Sequence, residues 1–165
     1  MASEEHVTNV TIMETHPTVC IAAMHGRKVL LVRRLSEPCR GLWAIPGGHI
    51  ERDEAPLQAA VREAAEEIPD ARIVSGPDTI FMHGVPEGEK RHPEPHRHLC
   101  HVFHALSGET VRTGSDAGEG KFFSPEEALA LQDLETTGYT QRVLEHLKAA
   151  EAHLPHSKAK PGTKA

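Results

Sequence analysis

"GHIERDEAPLQAAVREAAEEIPD", residues 48–70, crowds carboxylates onto a segment of helical periodicity, and its reading decides the fold. Asp53 can cap a helix that begins near Glu54, with Pro56 tolerated in the first turn and Glu54 placed against the positive end of the dipole. The spacing predicts a helix to about Ile68, because Pro69 cannot continue it. With Glu63 at 0° on a helical wheel, Glu67 falls at about +40° and Glu66 at about −60°. Leu57, Ala60, Val61, Ala64 and Ile68 lie between about +60° and +160°, so an apolar face adjoins an acidic one. Like charges at i,i+3 and i,i+4 cost about 0.2–0.5 kcal/mol per pair, and Arg62 offsets only part of this. One reading is a solvated acidic face. The other is a cation site, since Mg²⁺ takes carboxylate and carbonyl oxygens and the flexible "PGG" of residues 46–48 can turn carbonyls toward an ion.

The rest of the chain sets limits on both readings. Its 165 residues fit one domain, expected over residues 1–154 with an unpacked tail at 155–165. Lys+Arg of 18 against Asp+Glu of 24 gives a net charge of −6, which offers no attraction to nucleic acid or an anionic membrane. An anionic substrate would therefore need clustered arginines or bound cations. Cys20, Cys39 and Cys100 are widely spaced with no CxxC pair, so neither a disulfide framework nor a zinc ribbon is expected. No apolar run is long enough to span a bilayer, and a cytoplasmic protein is expected.

Two apolar runs, residues 19–24 and 29–33, flank His25-Gly26-Arg27-Lys28 and predict an antiparallel hairpin. "WAIPGGHI" reads as a short broken strand, "ARIVSG" and "DTIFMHG" as two strands, and "LCHVFHAL" as another. "VPEGEKRHPEPHRH" and "TGSDAGEG" read as loops. Ser124-Pro125-Glu126-Glu127 is a strong helix start, and residues 140–153 predict a last amphipathic helix. Strands mixed with about three helices argue for a mixed α/β or α+β domain.

Gly48, Glu54, Arg62, Glu63, Glu66 and Glu67 stand at the spacings of GX5EX7REUXEEXGU, with U a bulky aliphatic residue, and "LWAIPGG" precedes them. The segment resembles the Nudix box of the Nudix hydrolases. Ala64 is small where an aliphatic belongs, Pro69 replaces the last Gly, and Asp70 replaces an aliphatic residue. Because Gly there permits a positive-φ helix cap that Pro cannot adopt, the helix exit must differ or the next loop must be shortened.

The resemblance implies an α/β/α sandwich around a mixed sheet and hydrolysis of a diphosphate linkage in a nucleoside diphosphate derivative, with Mg²⁺ or sometimes Mn²⁺. It implies Glu66 and Glu67 as the principal metal ligands, Glu63 as a further ligand or the group that orients or deprotonates water, and the Gly47 carbonyl as another ligand. Arg62 would orient the glutamates and Glu54 would support the loop. An extra carboxylate from a late loop would be Asp116 first, then Glu119. An NTP or dNTP is the leading substrate, on the ground of a short chain, followed by ADP-ribose or a nucleotide sugar. A catalytically silent nucleotide-binding module is the alternative of another class, against which the retained charged positions from Arg62 to Glu67 speak. A prenyl diphosphate isomerase lacks support from a dedicated Cys/Glu pair.

Other residues have two readings each. Arg33 and Arg34 are phosphate contacts or ordinary surface arginines, and Trp43 stacks on a base or anchors the core. Among His83, His92, His96, His98, His101 and His104, some face substrate or are simply solvated; on a strand His96, His98 and Cys100 would share a face and offer a zinc site. The partner is a small molecule, and the protein is expected as a monomer or homodimer.

Overall fold

The architecture comes from a computed structural model, which describes residues 13–109, 113, 117–131 and 137–152. Strand β1 (Thr15–His25) turns through Gly26, at φ +59°, into β2 (Lys28–Arg34), as the apolar runs predict. β1 alternates its side chains between two cores. Cys20 and Ala22 point into one cluster, while Val19, Ile21 and Ala23 point into clusters on the other side. β2 does the same, with Val29 and Leu31 on one face and Leu30 and Val32 on the other. A strand buried on both faces reads as a continuous apolar run, and helices must cover both sides.

The remaining strands are β3 (Trp43–Ala44), β4 (Gly47–His49), β5 (Ala71–Val85), β6 (His96–Ser107) and β7 (Ala117–Phe123). The sheet runs β3-β2-β1-β6-β5, with β4 paired to β1 and β7 to β2. β1 and β6 are parallel, and the other pairings are antiparallel, which makes the sheet mixed. Helix α1 (Pro56–Glu67) packs on one face through Ala59, Ala60 and Ala64. Helices α2 (Pro125–Leu129) and α3 (Gly138–Ala152) cover the other through Ala128, Val143, Leu144 and Leu147. This is the expected α/β/α sandwich.

Several local expectations change. The two strands read from "ARIVSG" and "DTIFMHG" are one strand, β5, whose ladder to β6 is irregular between Ile73 and Thr79. β6 begins at His96, inside the segment read as loop, and β7 begins at Ala117, inside the other. Asp53 does not cap α1: it sits in the preceding turn at φ +65°, Ala55 is the cap, and Gln58 Oε1 accepts from the Ala55 N–H at 2.8 Å. Leu57 and Val61, assigned to the apolar face, are 54% and 52% exposed, whereas Ala59 and Glu63 are buried. Alanines let the helix approach the sheet closely and rotate Glu63 inward, where larger side chains would hold the axis off.

Pro69 has a simple accommodation. Ile68 is the C-cap, its N–H bonds the Ala64 carbonyl at 2.9 Å, and the Ala71 N–H bonds the Ile68 carbonyl at 2.8 Å. β5 starts at once, so no positive-φ glycine is required. Cys20 and Cys100 are joined in a disulfide, contrary to the expectation that no disulfide forms, because β1 and β6 are neighbours and both side chains enter the same core cluster. Sequence spacing carries no sign of that proximity. Among the described residues no helix is long and apolar enough to cross a membrane. The 155–165 tail lies outside the described residues.

Candidate active site and its carboxylates

α1 presents its glutamates to β4 because the lead-in strand contains two adjacent glycines. A Cβ on Gly47 would collide with the Val19 carbonyl, and one on Gly48 would fall on the Glu63 carboxylate. Bare Gly48 therefore lets the helix and β4 close on each other, and bare Gly47 lets β4 close on β1. The Gly47 N–H donates to Glu67 Oε2 at 3.2 Å, which fixes that carboxylate beside the strand.

Arg62 organises the rest. Its Nε and Nη2 donate to the two oxygens of Glu54 at 2.8 and 2.9 Å, a bidentate pair. Nη1 donates to Glu63 Oε1 at 2.8 Å and approaches Glu66 Oε2 at 3.5 Å, while Nη2 also reaches the His49 carbonyl at 2.9 Å. One planar fork thus ties loop, strand and helix, a task a single ammonium cannot perform. The bond from Arg62 and the Glu51 N–H hold the Glu54 carboxyl down to about 2. Glu63 shifts the other way: burial pushes it up, opposed by Arg62.

The glutamates are not equivalent. Glu67 lines the principal cleft, Glu63 is 8% exposed and lies against Gly48, and the Glu66 side chain is 59% exposed. All three are oxygen donors grouped at one helix face, and Glu63 is a carboxylate whose burial disfavours its charge. Their ligand atoms are not drawn into one tight group: among the described residues, three such atoms lie within 4.8 Å of one another only at His49, Glu89 and His92 and at Glu89, His96 and His98.

The cleft is open to solvent and has a volume of about 1160 Å³, against roughly 300–1,000 Å³ for ordinary ligand sites. Arg33, Arg34, Lys90, Arg91 and Arg142 line it, so its wall is basic although the protein is net acidic. Arg34 is braced by the Pro38 carbonyl at 2.8 Å and the Tyr139 hydroxyl at 3.3 Å. Arg33 is braced by the Gly41 carbonyl at 2.8 Å and lies 4.5 Å over the Trp43 ring. Trp43 is 7% exposed, packs edge-on against Phe123, and is absent from the cleft lining, so it anchors the core and does not offer a face to a base. Glu119 is exposed, lies 3.7 Å from Arg33 and does not line the cleft; Asp116 lies outside the described residues.

Sequence reading missed Lys90, Arg91, Tyr139 and Arg142. Arg142 sits 4.4 Å over Phe81 and donates to the Met82 carbonyl at 2.6 Å, a placement that only the docking of α3 creates. Arg91 pairs with Glu51 at 2.9 and 3.1 Å.

The histidines divide. His101 bonds the Thr18 carbonyl at 3.0 Å, and His104 pairs with Asp78. His83 lines the cleft, stacks on Tyr139 at 4.9 Å, and is held down to about 4, chiefly by burial. Glu89, from the 86–95 loop, meets His49, His96 and His98 at 3.1, 3.5 and 3.4 Å. Burial opposes its ionisation, but the imidazoles of His49 and His98 outweigh that and hold its carboxyl below the usual range. The Cys100 of the imagined zinc trio is instead bonded to Cys20.

The fold is a mixed sheet between helices, with Glu67 of α1 at the edge of a cleft that Arg33, Arg34, Lys90, Arg91 and Arg142 line. A family model of the NUDIX domain matches residues 14–146, and the chain belongs to the Nudix family. An ADP-ribose pyrophosphatase of Methanocaldococcus jannaschii is 32% identical over 111 residues, 66% of this chain and 62% of that protein. An octanoyltransferase of Myxococcus xanthus is 35% identical over 103 residues, 60% of this chain but 28% of that protein. The chain thus matches less than two thirds of either curated relative. The crystal structure of a MutT NUDIX hydrolase from Burkholderia pseudomallei superposes with a TM-score of 0.59 at 25% identity, covering 80% of this chain and 97% of that one.

Proposed function

We propose that the protein is a Mg²⁺-dependent pyrophosphohydrolase acting on a nucleoside diphosphate linked to a second group, with ADP-ribose as the first substrate to test. The observation that carries this reading is the Arg62 fork, which holds Glu63 and Glu54 in place while Glu67 is fixed by Gly47 at the edge of a basic cleft. The NTP expectation rested on chain length alone. The named activity of the Methanocaldococcus relative supports ADP-ribose instead, and a cleft of about 1160 Å³ leaves space for the second sugar.

Glu63, Glu66, Glu67 and the Gly47 carbonyl are the residues that would hold the metal. When bound, the divalent ion would neutralise phosphate charge and acidify water. Glu63, buried and held by the Arg62 guanidinium, is the group that would orient the attacking water or take its proton. Arg62 keeps that carboxylate aimed. Arg33 and Arg34, braced by backbone carbonyls, are preorganised to receive phosphate oxygens.

The test is a product assay on ADP-ribose, nucleotide sugars, NTPs and dNTPs, with Mg²⁺ and with EDTA. AMP and ribose 5-phosphate released from ADP-ribose only with Mg²⁺ is the expected result. Nucleoside monophosphate plus pyrophosphate from an NTP, with ADP-ribose untouched, returns the substrate to the triphosphates. No cleavage of any of them leaves the silent-module reading.

A further inference from the structure

We propose that Glu89, His96 and His98 form a second metal site, separate from the glutamates of α1, which takes a divalent transition ion of the Zn²⁺ class. β6 projects His96 and His98 from one face, and the 86–95 loop folds back to bring Glu89 onto them. The three ligand atoms form a triangle: His96 Nε2 to His98 Nε2 is 3.0 Å, His98 Nε2 to Glu89 Oε2 is 3.4 Å, and His96 Nε2 to Glu89 Oε2 is 3.5 Å. Zinc bonds of about 2.0–2.2 Å in tetrahedral geometry require edges of about 3.3–3.6 Å. Two edges of the triangle match a face of such a tetrahedron, and the His96–His98 edge, at 3.0 Å, would open by about 0.3 Å on binding.

The tautomer is set by a neighbour. His96 Nδ1 lies 2.7 Å from the Glu94 carbonyl oxygen, which can only accept, so Nδ1 carries the hydrogen. That leaves Nε2 as the atom facing the triangle, the arrangement found where a backbone carbonyl orients a metal-binding imidazole. His96 is 2% exposed, so water does not reach this nitrogen freely. Two imidazole nitrogens and a carboxylate oxygen converge at the cleft wall, where Glu89 and His98 line the cleft and His96 is buried behind them, an arrangement that a shared cation or proton stabilises. On the other side of the same carboxylate, Glu89 Oε1 and His49 Nε2 lie 3.1 Å apart, and both are buried without a hydrogen bond of usable angle. Imidazoles thus flank both oxygens of Glu89.

Donor chemistry separates this site from the one on α1. Imidazole with one carboxylate suits zinc and its neighbours, whereas the all-oxygen glutamate set suits Mg²⁺. An ion here would pin the loop that carries Lys90 and Arg91 to the sheet and so fix one wall of the cleft.

The experiment titrates Co²⁺, then Zn²⁺, into the full chain freed of metal and held in excess Mg²⁺, reading the visible bands of tetrahedral Co²⁺ and the melting temperature. One equivalent of Co²⁺ should bind, Zn²⁺ should displace it, and Zn²⁺ should raise the melting temperature. Glu67→Gln should keep this behaviour. His98→Gln and Glu89→Gln should each weaken binding by at least the ~10–100-fold that loss of even an outer-shell partner costs. Absence of Co²⁺ binding and of a Zn²⁺-induced rise in the wild type overturns the proposal whether or not the variants fold, and assigns the site a proton instead. Loss of the signal in Glu67→Gln, or wild-type binding in both His98→Gln and Glu89→Gln, also overturns it.

Discussion

Replacing Arg62 by lysine keeps the charge and removes the fork. Arginine makes bonds of 2.8 Å to Glu63 and 2.9 Å to the His49 carbonyl in addition to its bidentate grip on Glu54. Hydrogen bonds to charged groups are worth about 1.5–3 kcal/mol each. Counting only Glu63 and the His49 carbonyl, and letting the lysine recover one of them, Arg62→Lys should cost about 2 kcal/mol. At a urea dependence of about 1–3 kcal/mol per molar, the unfolding midpoint should fall by about 1 M. Turnover should fall further than stability implies, because Glu63 loses its guide and misplacement of a catalytic group by about 1 Å can cost about 100-fold. Equilibrium unfolding in urea, followed by circular dichroism, and initial rates at saturating Mg²⁺ measure the two effects. An unchanged midpoint together with unchanged turnover would refute the assignment of Arg62 as the organiser of the glutamates.

Two further outcomes are expected. Glu67→Gln should lower Mg²⁺-dependent turnover by orders of magnitude and abolish a Mg²⁺-induced rise in melting temperature, while its amide oxygen can still accept from the Gly47 N–H and preserve the fold; differential scanning fluorimetry with and without Mg²⁺ checks this. His83 is held down to about 4 in the folded protein against 6.5 for the free group, so the unfolded chain binds the proton first and stability falls as pH drops from about 6.5 to about 4. The effect is at most about 3.5 kcal/mol, from about 1.4 kcal/mol per unit, and His83→Asn should flatten it in urea titrations across that window.

The sequence by itself determined the helix at residues 56–67, the hairpin around Gly26 and the Ser124 cap, because each is written in local chemistry: periodicity, turn residues and capping oxygens; the sandwich came through the resemblance of residues 48–70 to the Nudix box. It also carried the carboxylates, since fixed spacing on a helix places Glu63, Glu66 and Glu67 on one side. Only the tertiary structure decided how they differ. Whether Glu63 is buried and Glu66 exposed depends on how closely a strip of alanines lets α1 approach the sheet, and that distance is set by Gly48 of β4. Likewise the basic wall formed by Arg33, Arg34, Arg91 and Arg142, the Cys20–Cys100 disulfide, and the meeting of Glu89 with His96 and His98 join segments far apart in the chain. Their proximity follows from the parallel pairing of β1 with β6 and the return of one loop, and pairings between distant segments leave no periodic trace in a single sequence.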